Sequence, residues 1–150
     1  MTGAVISWDH DELLNPHLTK ARQSGPPIAP IDLAAKVEAA DPRAQVAYLP
    51  LEPEPGHSMA LFVSPRTDLS TGKLHELGYN QVFLEPSTGQ VLGKREWGAA
   101  WPITSETFVS FLYKLHYSLH IPECWGIDHW GEWFLGGVAI LWTIDCFIGF

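Results

Sequence analysis

The sequence predicts an α+β fold, with one helix across an antiparallel sheet, then an amphipathic helix, then a helix that enters a membrane. Three patterns carry this prediction. Four short apolar stretches between positions 46 and 96 are punctuated by Gly and Pro. Positions 104–120 repeat apolar residues at helical spacing, and 133–150 are apolar or Gly everywhere except Thr143 and Asp145.

In chain order, DHDELLNP (9–16) predicts a short polar helix stopped by Pro16. The prolines of QSGPPIAP (23–30) forbid regular structure and predict a linker. From Ile31, Leu33, Val37 and Ala40 recur at spacings of four and three, which predicts a helix with Asp32 in its capping region and Pro42 near its end. VAYLPLE (46–52) and MALFVS (59–64) read as strands around the turn PEPGH. After the polar loop PRTDLSTGK, NQVFLEP (80–86) and QVLGKRE (90–96) flank STG, where Gly89 suits the positive φ of a hairpin. One helix followed by four strands able to pair as meanders gives a helix-on-sheet layer.

In the next helix, Phe108, Phe111, Leu112, Leu115 and Leu119 form a single stripe. Thr104 or Ser105 can cap it, Glu106 complements the dipole, and Pro122 is expected to end it. The final segment, from Trp133, is long enough for about 27 Å of helix at 1.5 Å per residue, just short of a hydrocarbon core of about 30 Å. No Lys or Arg occurs from 115 to 150, and Trp125, Trp130, Trp133 and Trp142 resemble an interfacial aromatic belt.

A length of 150 residues bounds the chain to one domain with an appendage, and 46% hydrophobic content excludes wholesale disorder. A formal charge of −8, with no basic cluster beyond Lys94-Arg95, excludes a nucleic-acid partner. Cys124 and Cys146 suit neither a metal knuckle nor a disulfide framework and are expected as unpaired buried thiols. MTGAVISWDHDELLNP lacks the basic start of a signal peptide. No phosphate loop, nucleophile elbow or dinucleotide fingerprint occurs. His10, His17, His57 and His75 are expected in loops, without paired acids.

Four stretches carry a family likeness: TGAVISWDHDELLNP, YNQVFLEPSTGQVLGKRE, FLYKLHYSLHIPE and GEWFLGGVAILWTIDCFIGF. Their order resembles the PepSY-associated transmembrane proteins, bacterial inner-membrane proteins often described as iron-regulated. VFLEPSTGQVLG looks like the ending of the PepSY unit, and LHYSLH with the Trp-rich span looks like the second membrane helix. The resemblance implies the end of a first membrane helix and a juxtamembrane segment over 1–16, and a PepSY-like extracytoplasmic domain over 28–98. It further implies an amphipathic interfacial helix over 104–122 and a truncated transmembrane helix over 130–150. On this reading the chain is an excerpt of a longer protein, and residues 17–120 face the periplasm.

The same likeness bears on chemistry. Imidazole is a suitable axial ligand for haem iron, and some relatives resemble di-haem reductases of ferric siderophores. Carried over, His116 in the LH position is the first ligand candidate, His120 the second and His129 the third. Because His116 and His120 lie one turn apart on the same helix face, opposing ligands must come from other helices. Haem b is therefore expected only in the full-length protein, whose partners would be the lipid bilayer, the remaining membrane helices and a ferric siderophore. Asp145 is costly at membrane depth, about 2.5–3.5 kcal/mol on insertion scales, and is expected to face a bundle interior. The competing expectation is a non-catalytic binding module that modulates a peptidase or membrane partner by receiving a strand at its sheet edge.

Overall fold

The structure is a computed structural model that describes residues 10–99, 101–119, 121 and 129–149. Its elements in order are α1 (His10–Leu14), α2 (Pro16–Thr19), α3 (Pro30–Ala40), β1 (Ala44–Tyr48), β2 (Met59–Pro65), β3 (Gln81–Leu84), β4 (Val91–Arg95), α4 (Ser105–Ser118) and α5 (Trp130–Ile148).

The expected sheet forms, antiparallel throughout and in the order β1-β2-β3-β4. On one face, Leu33, Ala34 and Val37 of α3 pack against Met59, Leu61 and Val63 of β2 and Val82 and Leu84 of β3. These side chains alternate along the strands, as a pleated strand requires when one face meets a helix. Removing one such side chain, as in Leu33→Ala, typically costs about 2–5 kcal/mol.

The opposite face is covered as well, which the sequence reading did not foresee. All four residues of β3 are buried. Gln81 and Phe83, which alternate with the core residues Val82 and Leu84, are buried too, with Arg95 against both. Arg95 donates from Nε to Gln81 Oε1 at 2.7 Å and from Nη1 to the Glu106 carbonyl at 2.9 Å, fastening α4 to the sheet. Its guanidinium lies 5.0 Å from the Phe83 ring centroid. Further out, Phe62, Trp97 and Tyr113 continue the contact as a ring series at 6.1 and 5.8 Å. At β4, Gly93 lets Leu18 of α2 lie directly on the strand, since a β-carbon there would collide with Leu18 Cδ2.

Several boundaries differ from expectation for local reasons. Pro16 does not merely stop a helix; it opens α2 at a position where its missing N–H costs nothing. Pro30 likewise opens α3, so the N-cap is Ala29 and Asp32 sits in the first turn rather than capping. The first strand begins two residues earlier than expected and ends at Tyr48, with a bulge between Val46 and Tyr48 and Pro50 beyond. Gly89 adopts φ +74° as anticipated.

For α4, Thr104 is the cap. Its Oγ1 accepts from the Thr107 N–H at 3.3 Å while its own N–H donates to Thr107 Oγ1 at 2.9 Å. The helix closes with Leu119 in the left-handed region, three residues before Pro122, which lies outside the described residues. The expected apolar stripe is only partly enclosed: Phe108 is exposed, whereas the most buried position on α4 is Ser110.

The final helix, α5, has 19 residues and a mean hydropathy of 1.4 over its most apolar window, of which 6% is buried within the protein. At 1.5 Å per residue it is about 28 Å long. Trp142, Phe147 and Ile148 lie bare on its surface, an arrangement that water disfavours and lipid accepts. Cys146 is a free thiol here, exposed on the helix rather than buried, and Cys124 lies outside the described residues.

Candidate functional site

Two of the residues singled out for function, His116 and His129, flank the junction between α4 and α5. Gly131, at the start of α5, is buried, and a β-carbon there would collide with the Ser118 carbonyl at the end of α4. The two helices thus meet backbone to backbone, as small residues permit at close helix contacts.

His116 stands in the last turn of α4, two residues before this crossing, where a helix dipole favours a cation. Its side chain is exposed. His129 occupies the cap position of α5 without making a side-chain cap; its Nδ1 lies 3.2 Å from Glu132 Oε2. His120 lies outside the described residues. Trp130 and Trp133 pack edge to face at 6.3 Å beside the junction, placing aromatic rings where the apolar helix begins.

Beyond Glu132 in its first turn, two polar residues interrupt α5. Thr143 satisfies its hydroxyl by donating to the Ala139 carbonyl at 2.8 Å, so it adds no unpaired group to the apolar surface. Asp145 is exposed on the helix, and its carbonyl accepts the closing bond from Gly149 at 2.8 Å.

Among the described residues, no group of three or more His, Cys, Asp or Glu side chains is placed to hold a metal ion. A haem iron between two imidazoles needs one on each side of the macrocycle. The junction presents His116 on one helix and His129 engaged with Glu132. Among the described residues, the junction offers these two imidazoles, one at the end of each helix.

Sequence reasoning missed a second group of polar residues, on the domain itself. His17 and His57 are not loop histidines without acids. His17 lies on α2 with Nε2 3.2 Å from Glu106 Oε1 of α4, and His57 Nε2 lies 3.6 Å from Glu12 Oε2. Glu85, expected to serve only the hairpin, is 1% exposed, and its Oε2 accepts the Arg22 backbone N–H at 2.6 Å. These partners are 45 to 89 positions apart, so no local motif announces them.

Elsewhere, Asp41 accepts from Arg43 Nε and Nη2, both at 2.9 Å, and from the Tyr79 hydroxyl at 2.9 Å. The Arg43 guanidinium, more than the tyrosine, holds this carboxyl well below the usual range. Asp68 is lowered to about 2, chiefly by the Ser70 hydroxyl and then by the Ser70 backbone N–H and the Thr71 hydroxyl. Both are structural turns, remote in sequence from the α4–α5 junction.

Comparison with curated proteins gives no match. Comparison with protein families gives the PepSY-associated TM region, matched over residues 1–150. A small α+β domain tied through α4 to an exposed apolar helix agrees with that description, and the chain belongs to the PepSY-associated transmembrane family.

Proposed function

We propose that this membrane-associated chain is the extracytoplasmic PepSY region and membrane segment of a bacterial inner-membrane protein linked to iron uptake. In this reading residues 17–120 face the periplasm, the PepSY-like domain spans 28–98, and α5 enters the bilayer. In the full-length protein His116 would hold haem b together with an imidazole from another membrane helix, and the haem would supply electron transfer to a ferric siderophore. The observation that supports it is the position of His116: the last turn of α4, held against the start of α5 by the Ser118–Gly131 contact. An imidazole carried to the rim of an apolar helix is suited to meet a group bound between helices.

The test is absorption spectroscopy of the full-length protein, expressed with adequate iron and purified in detergent. A Soret band is expected, lost or shifted in His116→Ala and retained in His129→Ala, whose imidazole is engaged with Glu132. A full-length protein free of haem overturns the reading.

Strand addition at the sheet edge, the route by which such a domain would receive a peptide, is disfavoured at β1. Val63 N–H donates to the Asn80 carbonyl, toward β3, so Val46 opposite it turns its own N–H outward. That N–H is taken by Glu38 Oε1 at 2.9 Å, and the neighbouring Ala44 carbonyl by Arg66 Nε at 3.1 Å. An incoming strand would have to displace both, which is how edge strands are commonly blunted.

A further inference from the structure

The helix α4 is amphipathic, yet it meets the domain with its polar side. At about 100° per residue, Phe108, Leu112 and Leu115 share one side of the helix, opposite Ser110. Ser110 is 1% exposed and marks the inner side, with Glu106 and Lys114 one turn away from it in each direction. The contacts with the domain are accordingly polar. Arg95 bonds the Glu106 carbonyl, Asn15 Nδ2 donates to the Ser105 carbonyl at 3.0 Å, and His17 lies beside the Glu106 carboxylate. The Lys114 stem passes over Gly98. On the outer side Phe108 is 41% exposed and Leu112 and Leu115 are half-buried. Among the described residues, the apolar core between α3 and the sheet includes none of the three. A surface helix in water presents the reverse arrangement, with its apolar side inward.

Two features indicate what the outer side meets. The first is continuity with α5. Gly131 holds the start of α5 against the Ser118 carbonyl at the end of α4, and α5 is itself bare along its apolar length. The apolar side of α4 thus ends where the lipid-compatible surface of α5 begins. The second is tryptophan at both ends of α4. Trp133, 64% exposed, lies in the first turn of α5 just past the crossing. Trp101, 81% exposed, precedes α4 and is kept near its first turn, because Thr107 Oγ1 donates to the adjacent Pro102 carbonyl at 3.0 Å. Tryptophan concentrates at the headgroup level of membranes. The one lysine of α4 is on the inner side, so the outer side offers lipid apolar groups and no charge.

We propose that α4 lies flat on the bilayer surface, with Phe108, Leu112 and Leu115 turned to the acyl chains and Trp101 and Trp133 at headgroup level. The proposal rests on the membrane placement of α5 and is independent of haem. An amphipathic helix in the interface plane buries its apolar side in this way. The helix has 14 residues and is about 21 Å long. The α+β domain is thereby held at two separated points and rests on the membrane instead of swinging from α5.

The test is nitroxide accessibility in the full chain reconstituted into phosphatidylcholine vesicles. Labels are placed by Phe108→Cys and, as a control, by Leu69→Cys, with Cys124 and Cys146 changed to Ser. Leu69 is 99% exposed in the β2–β3 loop. Collision with oxygen relative to a water-soluble nickel chelate should be several-fold higher at Phe108 than at Leu69. Leu112→Asp should return the Phe108 label to water while Trp142 stays quenched by brominated lipid. A Phe108 label in water beside a quenched Trp142 overturns the proposal and leaves α5 in the bilayer. An unquenched Trp142 overturns the membrane placement of α5 and this proposal with it. Low collision with both probes means that protein, a second copy included, covers the outer side, and equal ratios at Phe108 and Leu69 mean no oriented seat; either result overturns the proposal. Should the Phe108 label disturb the helix, quenching of Trp101 by lipid brominated near the headgroup, taken by difference against Trp101→Phe, decides the question.

Discussion

The buried Gly131 of α5 sits so close to the Ser118 carbonyl of α4 that no β-carbon fits between them. The α+β domain is thereby joined to the apolar helix by a backbone contact as well as by the connecting chain. Arg95 extends the connection inward, since it bonds the α4 backbone at Glu106 and the sheet at Gln81. A continuous series of contacts therefore runs from the sheet through α4 to the apolar helix.

Gly131→Ala should separate the two helices. Backbone cannot swing aside as a side chain can, so the cost is expected at or above the usual 1–3 kcal/mol of overpacking. Thermal unfolding of the detergent-solubilised protein reads it. A melting temperature unchanged from the parent would show that α4 and α5 do not meet at this point.

Gly93→Ala poses a gentler version of the same problem, because its obstacle is the side chain of Leu18, which is 3% exposed. Here the expectation is a loss of about 1–3 kcal/mol, partly recovered when Leu18→Ala is added. Strict additivity in the double mutant, measured by denaturant unfolding, would place Leu18 away from β4.

Acid should weaken the tie between α3 and the loop before β3. Arg43 and then Tyr79 hold the Asp41 carboxyl below its ordinary value in the folded protein. A lowered folded pKa means that the stabilisation is complete above about pH 4, the range of an unfolded Asp, and is lost as pH falls further. Asp41→Asn should therefore be less stable than the parent at pH 7, with the gap narrowing below pH 4. Tyr79→Phe removes one bond and should cost about 1 kcal/mol at neutral pH. A gap for Asp41→Asn that stays constant from pH 7 to pH 3 would contradict this arrangement.

Trp142, 72% exposed on α5, reports which solvent the helix meets. In vesicles of brominated lipid its fluorescence should be quenched, isolated by difference against Trp142→Phe because the chain has seven tryptophans. If the chain is instead monodisperse in plain buffer with Trp142 shielded, the apolar helix belongs in a protein interior.

The order of elements could be read without the structure because each rests on short-range rules. Short apolar stretches between Gly and Pro mark β2 and β3, apolar spacings of four and three mark α3, Gly89 marks the hairpin, and an apolar run broken only by Thr143 and Asp145 marks α5. Boundaries slipped where a proline at a first helical position and a bulge in β1 obeyed local geometry that hydropathy does not register.

What the chain alone determined, then, is the helix-on-sheet layer, the family likeness and the presence of a helix apolar enough for lipid. Only the tertiary structure decided that the second face of the sheet is covered, that Glu38 and Arg66 close the edge of β1, and that Glu85 is buried on the Arg22 N–H. The physical reason is range. Periodicity and turn chemistry act over a few residues, whereas Arg22 and Glu85, 63 positions apart, become neighbours only when the sheet and the linker close on each other.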